Sequence, residues 1–249
     1  MTIWTIADLH LSFGVPGKEM DLFGEKWKDH PQKIEANWRK LVSPSDLVLI
    51  PGDISWAMHI EDAALDLLWI DTLPGTKVMI RGNHDYWWHS ISKVEKILPP
   101  SIHLVQNNCF LWEGIAIAGA RLWDTPEYSF DPYVVYQDNP KANLLLEKEN
   151  NPEAAEKIFV RELSRLELSL KSIPSHVKTR IVMTHYPPIG ADLAPSRTSA
   201  ILSKYEVCKV AFGHLHNVRA NTLPFGEKDG IRYIFSSCDY VDFTPVYVY

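Results

Sequence analysis

Five times along this chain a short apolar run ends abruptly in a polar cluster, and that recurrence constrains the fold more than any other feature. Thr2 to Ala7 leads into Asp8-Leu9-His10, Asp46 to Ile50 into Pro51-Gly52-Asp53, and Lys77 to Ile80 into Arg81-Gly82-Asn83-His84-Asp85. Farther on, Arg180 to Thr184 delivers His185, and Val207 to Phe212 runs into Gly213-His214-Leu215-His216. Runs of this length, partly β-branched and bounded by glycine or proline, read as buried strands. Open α/β sheets collect ligand-binding side chains at the carboxyl ends of their strands. Five such ends therefore predict one shared site built from Asp8, His10, Asp53, Asn83, His84, His185, His214 and His216. If the backbone stays extended past each strand, residues two apart point the same way. Asp8 and His10 are then expected to reach one cation together, and His214 and His216 to face one place.

The donors are nitrogen and oxygen with no thiolate, which suits manganese, iron, zinc or magnesium. Seven of them are too many for one closed tetrahedral zinc, whereas two ions sharing a bridging carboxylate accommodate the set. The three cysteines, Cys109, Cys208 and Cys238, are an odd number without CxxC spacing, so they read as core or strand residues.

Helical spacing fills the intervals between strands. Ile34, Trp38 and Leu41 share one face after Pro31, and Ala64, Leu65, Leu67, Leu68 and Trp69 form a crossover from Glu61 to Asp71. Ser90 to Leu98 reads as a helix stopped by Pro99-Pro100, and Pro152 to Ile173 as a helix with an apolar stripe. His103 to Val105, Phe110 to Trp112 and Ile115 to Ala118 read as a meander or hairpin, and Ile231 to Ser237 and Val241 to Val248 as closing strands. Leu11 to Lys28 is read as a solvated loop, and Trp87 and Trp88 as packing residues beside the site. Arg121 to Asn151 is irregular, with Pro126, Pro132 and Pro140 among Trp123, Tyr128, Phe130, Tyr133 and Tyr136. It is expected to be a cap inserted into a single domain spanning residues 1–249. Arg81, Trp123 and Tyr186 are the candidate substrate contacts, with a structural surface ion as the alternative for Arg81.

A formal charge of −6 argues against a protein that grips duplex nucleic acid through bulk electrostatics. No run approaches the roughly 18 apolar residues of a membrane span, and no basic segment with an apolar signal core opens the chain. A soluble, cytoplasmic protein is the expectation.

The blocks DLH, GD, GNHD, TH and GHLH, in this order from Asp8 to His216, resemble the motif set of the calcineurin-like metallophosphoesterase superfamily. That resemblance implies an α/β fold, a four-layer αββα sandwich of two packed mixed β-sheets flanked by helices. It also implies one metal on Asp8, His10, Asp53 and His216, and a second on Asp53, Asn83, His185 and His214, with Asp53 bridging. His84 would contact the phosphate and protonate the leaving group, and Asp85 would orient it. The cofactors implied are two divalent ions per chain, manganese first, with iron, zinc or magnesium as the others. The reaction implied is hydrolysis of a phosphomonoester or phosphodiester by in-line attack of a metal-bridging hydroxide on a small phosphorylated substrate. The alternatives are cleavage of a nucleotide or sugar-lipid pyrophosphate, a metal-dependent nuclease, and a non-catalytic scaffold of the same fold. Nothing in the residues chooses among these substrates or fixes an oligomeric state.

Overall fold

The apolar runs become strands whose alternate side chains face a helical layer on one side and a second sheet on the other. A computed structural model describes residues 1–135, 151–219, 222 and 225–249. In chain order the strands are β1 (Ile3–Thr5), β2 (Leu47–Ile50), β3 (Thr76–Met79), β4 (Ile102–Leu104), β5 (Phe110–Trp112) and β6 (Ile115–Ala120). They continue with β7 (Thr179–Thr184), β8 (Lys209–Phe212), β9 (Glu227–Lys228), β10 (Ile231–Phe235) and β11 (Val246–Tyr247). The helices are α1 (His30–Leu41), α2 (Ile60–Asp71), α3 (Ile91–Val94), α4 (Pro152–Lys171) and α5 (Arg197–Lys204).

One sheet has the order β11-β1-β2-β3-β4 and the other β5-β6-β7-β8-β10-β9. Both are mixed: β1 to β4 run parallel with β11 antiparallel, and β6, β7, β8 and β10 run parallel between antiparallel β5 and β9. Alternation sorts the core into layers. Val48 and Ile50 pack with Ile34, Trp38, Leu67 and Ile70 of the helices, while Leu47 and Leu49 meet Ile117, Ile181 and Met183 of the opposite sheet. Val182 and Phe212 turn outward to Leu166, Leu170 and Leu202. The result is the four-layer sandwich of two mixed sheets. Truncating a residue at its centre, such as the fully buried Leu49, to alanine costs about 2–5 kcal/mol.

Several sequence expectations change in the folded chain. The three strands after His103 are not a meander, because β4 joins the first sheet beside β3 while β5 and β6 form a hairpin at the edge of the second. The helix expected over Ser90 to Leu98 is confined to Ile91–Val94. Only Val246–Tyr247 of the stretch Val241 to Val248 is strand, because Asp242 and Phe243 turn with φ of 51° and 55°. The loop after Leu11 contains two short 3-10 turns, Met20–Phe23 and Glu25–Trp27. Helix α5 was not anticipated; a reciprocal capping box between Ser196 and Ser199 starts it. In the stretch expected to be a cap, residues 121–135 are irregular and pinned by a bridge from Val134 to Val218. Residues 136–150, with Tyr136 and Pro140, lie outside the described residues. No helix among the described residues is long and apolar enough to cross a membrane.

Candidate metal centre

The expected site residues lie beyond the carboxyl ends of β1, β2, β3, β7 and β8, which run parallel within their sheets. The loops go on pairing after the strands end: Asp8 N–H donates to the Gly52 carbonyl at 3.1 Å, and His10 N–H to that of Asp53 at 3.0 Å. Two glycines allow the loops to close. A Cβ on Gly82 would overlap the Asp53 amide and carboxylate, and one on Gly213 would overlap the Asp8 carboxylate.

The extended-backbone expectation fails. Asp8, His10, Asp53 and His214 have φ of 60°, 45°, 51° and 76°, a left-handed conformation costing roughly 1–2 kcal/mol each outside glycine. Asp8 and His10 still reach one cluster, joined by His216, with their ligand atoms within 4.8 Å of one another. His214 and His216 part company. His216 Nε2 lies 3.1 Å from His10 Nε2, whereas His214 Nδ1 lies 3.0 Å from Asn83 Oδ1 and 3.3 Å from His185 Nε2. His216 thus groups with Asp8 and His10, and His214 with Asn83 and His185. Asp53 lies between them, its Oδ2 3.8 Å from His10 Nε2 and 3.4 Å from His185 Nε2. Asp8, Asp53 and His185 also come within 4.8 Å of one another. The Nδ1 of His185 that nears Asp8 is spent on the Pro51 carbonyl at 2.9 Å, so Asp53 is the carboxylate that Nε2 of both His10 and His185 approach.

These contacts fit divalent ions. The imidazole nitrogens of His10 and His216 approach each other to 3.1 Å, and those of His214 and His185 to 3.3 Å. Two nitrogens bound to one ion at about 2.0–2.1 Å with tetrahedral angles stand about 3.3 Å apart. The Pro51 bond fixes His185 by Nδ1 and turns Nε2 toward Asn83 Oδ1, 2.6 Å away. Burial, and then the neighbouring imidazoles, hold His10 and His214 well below the ordinary imidazole pKa; burial does the same to His185. They are thus held neutral, the form in which an imidazole nitrogen can coordinate a metal. Burial pushes Asp8 up to about 8, and it also raises Asp53. Buried carboxylates of this kind call for a positive partner.

Three residues that the motifs did not supply complete the centre. Asp239 accepts from His216 Nδ1 at 2.9 Å and from Asn217 N–H at 3.1 Å. Burial opposes a charge on His216, but the Asp239 hydrogen bond and the nearby carboxylates outweigh it and push its pKa up to about 9. Ser237 Oγ donates to Asp8 at 2.6 Å. Trp56 stacks on His10 at 4.8 Å and leans on His84 at 4.6 Å. The signal for Asp239 and Ser237 was present, since Ser-Ser-Cys-Asp follows the apolar β10 as the other clusters follow their strands.

His84 belongs to the site, its backbone N–H on Asp53 Oδ1 at 2.8 Å and its ring 5.7 Å from that of His10. Asp85 does not orient that ring. It is buried and spends both oxygens elsewhere, on the amides of Ile54, Ser55 and Gly82 and on Trp87 Nε1, between 2.8 and 3.2 Å. Its role is to tie the Asp53 loop to the Gly82 turn. The His84 ring is positioned by Trp56 and Tyr86, and its buried Nδ1 has no hydrogen-bond partner among the described residues. Tyr186 stacks against His214 at 3.9 Å and Trp123 against Tyr186 at 5.1 Å. With Tyr128, Phe130 and Pro187 they line a cleft of about 210 Å³ beside the second ligand set. Arg81 donates its Nε–H to the Asp85 carbonyl at 3.2 Å and lines a separate cleft.

Comparison with known proteins agrees with this geometry. The gene 66 protein of Mycobacterium phage D29 is 36% identical over 84 residues, a stretch covering 33% of this chain and 40% of the phage protein. A phosphopantetheinyl hydrolase from Mycobacterium tuberculosis has a similar structure, at 16% identity and a TM-score of 0.55, over 99% of this chain and 95% of its own. A protein of unknown function from Aquifex aeolicus matches over the same shares at 16% identity and a TM-score of 0.50. At such identities these structures share the fold. The family model for calcineurin-like phosphoesterases matches residues 1–218, which include every strand-end cluster from Asp8 to His216. With that match added to the two-sheet sandwich and the polar side chains gathered at its strand ends, the chain belongs to the calcineurin-like phosphoesterases, a family of hydrolases acting on phosphate esters.

Proposed function

We propose that this chain is a binuclear metal-dependent phosphohydrolase that cleaves a phosphomonoester or phosphodiester of a small substrate. The observation carrying this reading is the division of the donors into two sets, Asp8, His10 and His216 against Asn83, His185 and His214, with Asp53 between them. Two divalent ions, manganese first, would supply Lewis acidity toward the phosphoryl oxygens and a water acidified to a nucleophile near neutral pH. The chain's own residues do the rest. Asp239 and the Pro51 carbonyl hold His216 and His185 in the tautomers that leave Nε2 to coordinate. His84, beside both sets but in neither, is the proton donor to the departing alkoxide. Trp56 packs against its ring; burial lowers its pKa, and the Asp53 carboxylate opposes that lowering and favours the protonated form that can give a proton to a basic oxygen. Trp123 and Tyr186 form the wall against which the leaving group lies, and residues 121–151 govern which ester enters.

The full donor set and His84 argue against a non-catalytic scaffold, and the acidic balance argues against a nuclease. Cytoplasmic location is part of the proposal. The test is hydrolysis of p-nitrophenyl phosphate and bis-p-nitrophenyl phosphate by metal-stripped protein reloaded with manganese. Activity that returns with the metal and is lost in Asp53→Asn supports the reading. Activity indifferent to stripping, or absent on every ester tried, overturns it.

A further inference from the structure

A second cleft lies at the carboxyl ends of β3, β4 and β6, where Ile80, Val105 and Ala120 line it. It has a volume of about 100 Å³, and its lining includes Arg81, His89, Gln106, Arg121, Glu162 and Arg165. That volume far exceeds the ~10–15 Å³ a single water needs and is sufficient for a phosphoryl group. Three guanidiniums and one carboxylate therefore share the cleft. Glu162 is buried, yet only its Oε1 is engaged, at 2.8 Å from Arg165 Nη1 and 3.7 Å from Arg121 Nη2, and Oε2 has no partner among the described residues. Arg161 approaches the same oxygen at 3.9 Å but does not line the cleft.

Arg121 is the unusual member. Its side chain is 15% exposed and its guanidinium stacks over Trp123 at 4.6 Å, with no side-chain hydrogen bond among the described residues. Its Nε is fully buried without a partner. An arginine carries five N–H donors, and leaving them unpaired in a largely buried position costs stability unless an acceptor arrives from outside. Arg81 uses only Nε, on the Asp85 carbonyl, so its terminal nitrogens have no protein acceptor among the described residues either. Both belong to loops that carry the metal centre. Arg81 lies two residues before Asn83, and the Arg121 carbonyl accepts from the amides of His185 and Tyr186 at 3.1 and 3.0 Å.

We infer that this cleft is a second anion subsite in which Arg81, Arg121 and Arg165 bind another phosphoryl group of the substrate while the first is cleaved at the metal centre. Guanidinium forks match phosphate oxygens bidentately, and an anion between them would neutralise the surplus that Glu162 leaves. The substrate class is then a phosphate ester bearing a further phosphoryl group, as in a nucleoside diphosphate ester or a bisphosphate. The inference rests on the metal-centre reading for the words "while the first is cleaved", but the subsite itself does not.

The experiment separates the two. Metal-stripped protein in EDTA is titrated calorimetrically with inorganic phosphate and with pyrophosphate. The subsite predicts binding without metal, weakened at least tenfold in Arg121→Gln and several-fold in Arg165→Gln. The Arg165 side chain is 42% exposed, so its variant changes charge with little effect on packing. Arg161→Gln leaves the affinity unchanged if the cleft, and not general charge, holds the anion. With manganese restored, Arg121→Gln should raise KM for a nucleoside diphosphate ester about tenfold more than it raises KM for p-nitrophenyl phosphate. Absence of phosphate binding in EDTA, equal affinity in the wild type and the cleft variants, or equal loss in Arg161→Gln overturns the subsite. Metal-free binding lost in Arg121→Gln, with no activity after reloading, supports the subsite and refutes the metal-centre reading.

Discussion

Asp239→Asn tests how the centre holds its first ion. The carboxylate accepts two hydrogen bonds on separate oxygens, from His216 Nδ1–H at 2.9 Å and from Asn217 N–H at 3.1 Å. Asparagine keeps the size but has one acceptor oxygen and an NH₂ in place of the other, so one of these donors must meet a donor. If the amide turns its oxygen to Asn217, His216 loses the bond that fixes its tautomer. If it turns the other way, the loop after His216 is released. Either choice also removes the negative charge that strengthens the imidazole as a ligand. Losses at such supporting carboxylates run to roughly 10–100-fold in metal affinity, or about 1.4–2.8 kcal/mol. The assay is calorimetric titration of metal-stripped wild type and variant with manganese. The first set, Asp8, His10 and His216, should weaken by that factor while the second, on Asn83, His185 and His214, keeps its affinity. Unchanged affinities, or equal weakening of both sets in a folded variant, would refute the reasoning.

Three further outcomes follow from the same contacts. His84→Asn should retain both ions and lose about 10²–10⁴ in turnover on esters with poor leaving groups, with a smaller loss on p-nitrophenyl esters; equal losses on both, or loss of an ion, would contradict a proton-donor role. Gly213→Ala should displace the Asp8 carboxylate that its Cβ would overlap and abolish manganese binding at the first set, whereas normal stoichiometry in the variant would show that the loop yields. Asp66, buried and bonded to Ser55 and the Phe13 amide, is pushed up by burial to about 6. Folding thus favours its protonated form, so its stability contribution is complete below about pH 4 and falls as pH rises through 6, by on the order of 3 kcal/mol. Asp66→Asn should remove that dependence, and its melting temperature relative to wild type should climb between pH 4 and 6.5; a constant difference across that range would show that Asp66 does not titrate there.

The site's membership was legible because each cluster sits next in sequence to the strand that carries it, as with Met79 and Asn83 or Thr184 and His185. Its internal arrangement was not legible from alternation alone. Which group of side chains His214 and His216 each join depends on left-handed residues at Asp8, His10 and His214, and alternation assumes an extended chain that these positions abandon. The resemblance implied that Asp85 orients His84, but its partners Ile54 and Ser55 lie about thirty positions away and meet it only when the Asp53 loop packs on the Gly82 turn. The break between β4 and β5 was hidden for a similar reason. Asn107-Asn108 reads as a hairpin turn, yet Val105 and Phe110 serve different sheets because the core between the layers has to be filled from both sides. Val241 to Val248 alternates like a strand, but Phe243 is drawn into a buried contact with Trp27 at 5.5 Å and the chain turns to place it.

Metal stoichiometry tests the binuclear reading most directly. Protein stripped with a chelator, loaded with manganese, freed of excess by dialysis and measured by elemental analysis should saturate at two ions per chain. Asp53→Asn, which removes the carboxylate between the two sets, should lower that number to one or none. Saturation at one ion in the wild type, with Asp53→Asn leaving it unchanged, would contradict a shared centre.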